Sequence, residues 1–118
     1  MKYMLLIYLD ENGLSEDDRV KCYAESAEFA VQLSKTGQYL GAGPLHPTST
    51  ATSVRVRDHK RLVTDGPFAE TREQLGGYYL VEAKDLDEAI GIAERIPGGR
   101  WGTVEIRPVM EIPGLPEV

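Results

Sequence analysis

The stretch Asp65-Gly66-Pro67-Phe68-Ala69-Glu70-Thr71 separates two extended runs, residues 61–64 before it and 76–83 after it. Its chemistry is that of a chain reversal. An Asp side chain accepts from backbone N–H groups two residues on, Gly tolerates positive φ, and Pro holds φ near about −65°. Beyond the turn, Phe68, Glu70, Thr71, Arg72 and Glu73 set one aromatic ring among several charged and hydroxyl groups.

Upstream of the reversal, residues 61–64 read as the return strand of a hairpin. Its outgoing strand, Ser53-Val54-Arg55-Val56-Arg57, alternates as a half-exposed strand does, and Asp58-His59-Lys60 forms the turn. His59 at that tip reads as solvated. Residues 44–53 form a loop holding His46, Pro47 and the hydroxyls of Thr48, Ser49, Thr50 and Thr52. A second strand occupies 39–45. Its Gly41 and Gly43 lack the third glycine and following helix of a nucleotide loop.

Residues 15–36 read as a long helix. Ser15 caps it, Asp18 follows three residues on, and Glu16 and Asp17 suit the positive end of the helix dipole. The predicted inward stripe is Val20, Ala24, Ala27 and Val31, joined by Tyr23, Ala30 and Ser34, and Gly37 closes the helix. Before it, Asp10-Glu11-Asn12-Gly13 lacks the oxygen spacing of a calcium loop and reads as a turn. Residues 2–9 form a strand that is apolar on both faces, with Tyr3, Leu5, Ile7 and Leu9 opposite Met4, Leu6 and Tyr8. Such a strand belongs in the middle of a sheet, covered on both sides.

Downstream, the strand at 76–83 sets Tyr79, Val81 and Ala83 against Tyr78 and Leu80. Asp85 caps a second helix with Glu88 at its third position, and Leu86, Ala89, Ile90, Ala93 and Ile96 give a helical stripe. Pro97-Gly98-Gly99 ends that helix, and Arg100-Trp101-Gly102 is a loop. The final strand is predicted over 103–112, with Val104, Ile106, Met110 and Ile112 on one face. Pro108 within it implies an edge position or a bulge. One domain, 1–112, and a tail, 113–118, complete the chain.

Composition narrows the function classes. With 118 residues, 42% hydrophobic and 27% charged, the chain has the make-up of a single globular domain. A formal net charge of −6 argues against nucleic acid, whose phosphates call for basic patches. No run approaches the ~20 apolar residues of a membrane span. The apolar N-terminus alternates as a strand and carries no small-residue cleavage pattern, so the expected location is cytoplasmic, away from any membrane. Cys22 is the single cysteine, which rules out an internal disulfide and a Cys-based zinc site. It lies on a helix without histidine and reads as a small packing residue rather than an activated thiol. The two histidines make no metal ligand set, so neither metal nor cofactor is expected.

The element order is βαβ, hairpin, βαβ. The fold class is α+β, a ferredoxin-like sandwich with an inserted β-hairpin. Two helices cover one face of a four-stranded sheet, yet the strands at 2–9 and 76–83 are apolar on both faces. A second copy of the same sheet is the economical cover, which predicts a homodimer through the sheet face.

The run from Asp65 to Thr71, with its continuation Gln74-Leu75-Gly76-Gly77-Tyr78-Tyr79-Leu80-Val81-Glu82, resembles the DGPF branch of the YCII-related family, and the likeness extends over most of 1–112. The resemblance implies pairing as a dimeric α+β barrel. It also implies acid–base chemistry through a His–Asp pair whose histidine sits on the first helix. Here the helix at 15–36 has no histidine, so that pair does not carry over. The DGPF branch is further associated with genes beside extracytoplasmic-function sigma factors, which implies a regulatory context.

The expected pocket lies between the sheet and the loops carrying His46 and Asp65. Imidazole exchanges protons near neutral pH, so His46 is the candidate base and Asp65 the carboxylate that orients it. Glu70 and Arg72 could bind a polar ligand, Thr48 and Thr71 could donate hydrogen bonds, and Phe68, Tyr8 and Tyr79 could line the apolar side. Each has a plainer reading: a turn cap for Asp65, a solvated loop residue for His46, a surface ion pair for Glu70 and Arg72, packing for the tyrosines. Trp101 reads as rim packing.

Three functions follow. One is a homodimeric small-molecule-binding protein, regulatory in context, which the missing helix histidine favours. The second is a lyase, isomerase or dehydrohalogenase acting on a lactone or similar small acid through His46 and Asp65. The third is a docking partner for another protein.

Overall fold

The structure, a computed structural model, describes residues 1–117. Strand β1 (Lys2–Leu9) leads through a 3₁₀ turn at Glu11–Gly13 into helix α1 (Glu16–Lys35) and strand β2 (Tyr39–Pro44). A second 3₁₀ turn, Thr48–Thr50, precedes the hairpin of β3 (Thr52–Arg57) and β4 (Lys60–Asp65). Strand β5 (Gln74–Glu82), helix α2 (Leu86–Ala93), a 3₁₀ turn at Pro97–Trp101 and strand β6 (Gly102–Pro108) complete it. The described part of the 113–118 tail, 113–117, carries no helix or strand, and Val118 lies outside the described residues.

Four strands make one sheet in the order β2-β5-β1-β6, with β3 and β4 as a separate two-stranded sheet. Every neighbouring pair is antiparallel. This is the expected ferredoxin-like sandwich with an inserted hairpin, and a single chain closes no barrel. Strand β1 takes the central place that its two-sided apolar pattern predicts, and β6 takes an edge. The inward face pairs Tyr3 with Val81 and Leu5 with Tyr79. Leu5 and Val81 are fully buried, beneath Phe29 and Leu33 of α1 and Ala89, Ile92 and Ala93 of α2.

Local chemistry sets the helix ends as predicted. The Ser15 hydroxyl accepts from the Asp18 N–H at 3.1 Å, and the Asp85 carboxylate accepts from the Glu88 N–H at 2.9 Å. At the far end of α1, Gly37 adopts φ +75 while the Gln38 N–H reaches back to the Leu33 carbonyl at 3.0 Å.

Three expectations are corrected. The stripe that packs α1 onto the sheet is Cys22, Phe29 and Leu33, whereas Val20 and Val31 stay 60% and 55% exposed. Both stripes have helical spacing. The one with the larger side chains wins because Phe29 and Leu33 bury more apolar surface, and the Phe29 ring meets Tyr79 edge-on at 5.7 Å. On α2, Ile92 is buried while Leu86 and Ile90 are exposed. The last strand stops at Pro108, which has no N–H for a ladder, so Met110 and Ile112 lie exposed beyond it.

The hairpin departs from a half-exposed strand pair. Every residue of β4 is exposed, as are Val54 and Val56 of β3. Its two-residue turn holds Asp58 and His59 at φ 52 and 61, the left-handed conformation that two-residue hairpin loops require.

Candidate functional site

A cavity of about 410 Å³ opens between α1 and the sheet, beside the C-terminal end of β1. Helix α1 contributes Cys22, Tyr23, Ser26, Ala27 and Ala30 to its wall, and β2 contributes Tyr39, Ala42, Gly43 and Pro44. Ile7, Leu9 and Tyr79 form the sheet side. The space exists because small residues oppose one another. Alanines face the sheet from the middle of α1, while Gly76 and Gly77 face them from β5, where the β1–β5 register slips by one residue. Gly98 closes the end, where a methyl group would stand 3.1 Å from Ile7 Cγ2. The exposed lining residues Tyr23, Ala27 and Pro44 mark the mouth.

The wall has hydroxyl and thiol groups but no charged side chain. The Tyr79 hydroxyl donates to the Ser26 carbonyl at 2.8 Å, which ties β5 to α1 across the cavity. Burial pushes the Tyr79 phenol above its ordinary value, and burial likewise pushes up the Cys22 thiol. Both groups are therefore neutral near pH 7. The Ser26 hydroxyl lies 4.0 Å from Cys22 Sγ. The charges nearest this corner are tied up outside it: Arg100 pairs with Glu25 at 2.7 Å, and Arg19 donates to the Glu11 carbonyl at 3.3 Å. Among the described residues no group of His, Cys, Asp and Glu is placed to hold a metal ion.

Of the residues singled out in the sequence, Tyr79 lines this cavity. Tyr8 lies on the opposite face of the sheet, paired with Thr103. His46 is exposed, two residues past the mouth residue Pro44, on a loop whose start is held by the Leu45 N–H on the Gly76 carbonyl at 2.9 Å. Thr48 is held from the other side. Its N–H and hydroxyl both donate to the Glu11 carboxylate at 2.8 Å.

The Asp65–Thr71 stretch lies away from the cavity wall and is held by the segments that flank it. Asp65 is exposed at the end of β4, and the turn is closed by the Gly66 N–H on the Ala51 carbonyl and the Ser53 hydroxyl on the Gly66 carbonyl, both 2.8 Å. Gly66 has φ +102, which accounts for the glycine there. Phe68 is 81% exposed, with the Arg55 guanidinium 5.5 Å from its ring centre. Glu70 and Arg72 are exposed and make no ion pair among the described residues. The Thr71 hydroxyl donates to the Glu73 carbonyl, and the Gln74 side-chain amide donates to the Thr71 and Arg72 carbonyls.

Sequence reasoning missed Cys22, Tyr23, Ser26, Ala27, Ala30, Tyr39 and Ala42 as pocket residues. A signal for them existed. On the side of α1 between Phe29 and the outer valines stand the small residues Ser26, Ala27 and Ala30, and β2 and β5 each carry glycines where they approach them.

A family model described as the YCII-related domain matches residues 1–113. An uncharacterized protein of Rhizobium meliloti (strain 1021) is 36% identical, with 92% of each chain covered. Among solved structures, the 5-chloro-2-hydroxyhydroquinone dehydrochlorinase of Burkholderia phenoliruptrix AC1100, in complex with 2,5-dihydroxybenzoquinone, superposes with a TM-score of 0.55. It shares 15% identity over 93% of this chain and 94% of that one, a likeness of fold.

Proposed function

This chain belongs to the YCII-related family, and on that premise we propose that it is a homodimeric small-molecule-binding protein whose ligand occupies the cavity between α1 and the sheet. The cavity is the observation that carries the reading. Its volume falls in the range of small-molecule sites, and its wall is mostly apolar with a few hydroxyls, as such sites are. The structural neighbour's complex with a small ring compound supports a ligand of that size.

The dimer rests on the open face of the sheet. Met4, Leu6, Tyr78 and Leu80 are only partly covered there, and the molecule is 20 Å across its thinnest dimension, the depth of one sheet and one helical layer. The radius of gyration is 15.9 Å, against about 13.5 Å for a compact chain of this length. Covering that face with a second copy supplies the missing layer. The reading sets the protein in the cytoplasm, in keeping with a lone, unpaired Cys22, and its resemblance to sigma-factor-associated proteins supports a signal rather than a substrate as the ligand.

The test is a screen of uncharged and charged ring fragments by ligand-observed NMR, repeated on Ala27→Trp, which fills the mouth from an exposed helix position. Hits that vanish in the variant support the reading, and hits retained unchanged overturn it. For the dimer, sedimentation of Leu6→Asp should give a monomer where the unaltered protein sediments as a dimer.

A second reading, acid–base catalysis by His46 and Asp65, is favoured by the dehydrochlorinase among the fold relatives. It requires a substrate gripped at the exposed loop beyond Pro44. Loss of dehydrohalogenation in His46→Ala would establish it, and no turnover by the unaltered protein would end it.

A further inference from the structure

We propose that the cavity between α1 and the sheet selects an uncharged ring compound bearing hydroxyl or carbonyl groups and excludes the carboxylate of the same shape. This rests on the reading of the cavity as the ligand site. No lining residue carries a charged side chain, and burial favours the neutral forms of Cys22 and Tyr79. The nearest guanidinium groups are committed elsewhere, Arg100 to the Glu25 carboxylate at 2.7 Å and Arg19 to the Glu11 carbonyl at 3.3 Å. A carboxylate moving into this space would lose its water and gain no counter-charge, which is the expensive case for burying an ion.

Neutral polar groups meet the opposite situation. The phenol hydroxyls of Tyr23 and Tyr39 belong to wall residues and make no side-chain hydrogen bond among the described residues. Each can donate and accept. Tyrosine rings and alanine methyls supply surfaces that pack on a flat ring, while the hydroxyls match its substituents. The preferred ligand is thus an uncharged ring compound with hydroxyl or carbonyl substituents rather than the small acid that the acid–base reading of the sequence suggested.

The experiment compares 2-naphthol with 2-naphthoate by isothermal titration calorimetry at neutral pH, on the unaltered protein and on Ala27→Arg, which adds a cation at the mouth. The expected result is binding of 2-naphthol, with 2-naphthoate weaker by on the order of 100-fold. In Ala27→Arg, the affinity for 2-naphthoate relative to 2-naphthol should rise roughly tenfold, whatever the side chain's bulk costs both probes. Equal or tighter binding of 2-naphthoate to the unaltered protein would overturn the exclusion and leave the cavity as a ligand site. An unchanged ratio of the two affinities in a folded Ala27→Arg would also overturn it, because the barrier would then be shape rather than charge. Binding of neither probe would remove the cavity reading and this inference together.

Discussion

Two regions of this molecule invite opposite readings. The Asp65–Thr71 stretch is chemically loud, with an acid, an aromatic ring and a hydroxyl close together in sequence. The wall of the cavity is quiet, made mostly of alanine, glycine and tyrosine. In the folded chain the loud stretch is tied to flanking residues, Ala51 and Ser53 on one side and Glu73 and Gln74 on the other, and leaves Phe68 in solvent, whereas the quiet residues enclose a space of about 410 Å³. A site needs room before it needs reactive groups, and room is made by the side chains that are absent.

The two phenylalanines give the sharpest test of that contrast. Phe29 is buried against Tyr79 beside the cavity, and Phe68 is exposed in the loop. Phe29→Ala should cost about 3–5 kcal/mol in urea unfolding, and Phe68→Ala less than about 0.5 kcal/mol. A large loss from Phe68→Ala would mean that the loop packs against something, with a partner subunit the first suspect.

A smaller contrast compares two hydroxyls. Tyr79→Phe removes the bond to the Ser26 carbonyl and should cost about 1 kcal/mol. Thr71→Val removes an exposed bond to the Glu73 carbonyl and should stay within about 0.5 kcal/mol. Equal losses would erase the distinction between the regions.

The cavity wall should also leave a mark on the pH dependence of stability. Desolvation raises the folded-state values of Cys22 and Tyr79, so the folded chain holds these protons more tightly than the unfolded one. Their contribution is whole below the unfolded thiol value, about 8.5, and is lost as pH rises through the higher folded value. Urea midpoints followed from neutral to alkaline pH should therefore fall, and Cys22→Ala should flatten the first part of that fall. An unchanged slope in the variant would show that Cys22 does not contribute. The smallest effect is expected at Asp65. Asp65→Asn should move stability by less than about 0.5 kcal/mol, because other groups close its turn.

Most of the fold was legible in the chain. The caps at Ser15 and Asp85 are local chemistry, decided by three or four adjacent residues, and the structure has both. Strand β1 could be placed at the centre because its two apolar faces demand neighbours on both sides. The phase of α1 was not legible. Val20-Ala24-Ala27-Val31 and Cys22-Phe29-Leu33 both keep helical spacing, and the apolar area that Phe29 and Leu33 bury in the folded chain, Phe29 against Tyr79, decides between them. The same choice hid the candidate site. Once Phe29 and Leu33 turn inward, Tyr23, Ala27 and Ala30 fall beside the glycines of β2 and β5, a juxtaposition of residues that no local motif reports. The placement of His46 was equally non-local, set by Glu11 holding Thr48 and by Gly76 holding Leu45.

The most direct measurement is an amide chemical-shift map of the protein titrated with 2-naphthol. The largest shifts should fall on residues 22–30 of α1, 39–43 of β2 and 76–79 of β5, with residues 46, 65, 66 and 68–72 unmoved. Shifts confined to His46, Asp65 and the loop around Phe68 would contradict this and place the ligand at the loud stretch after all.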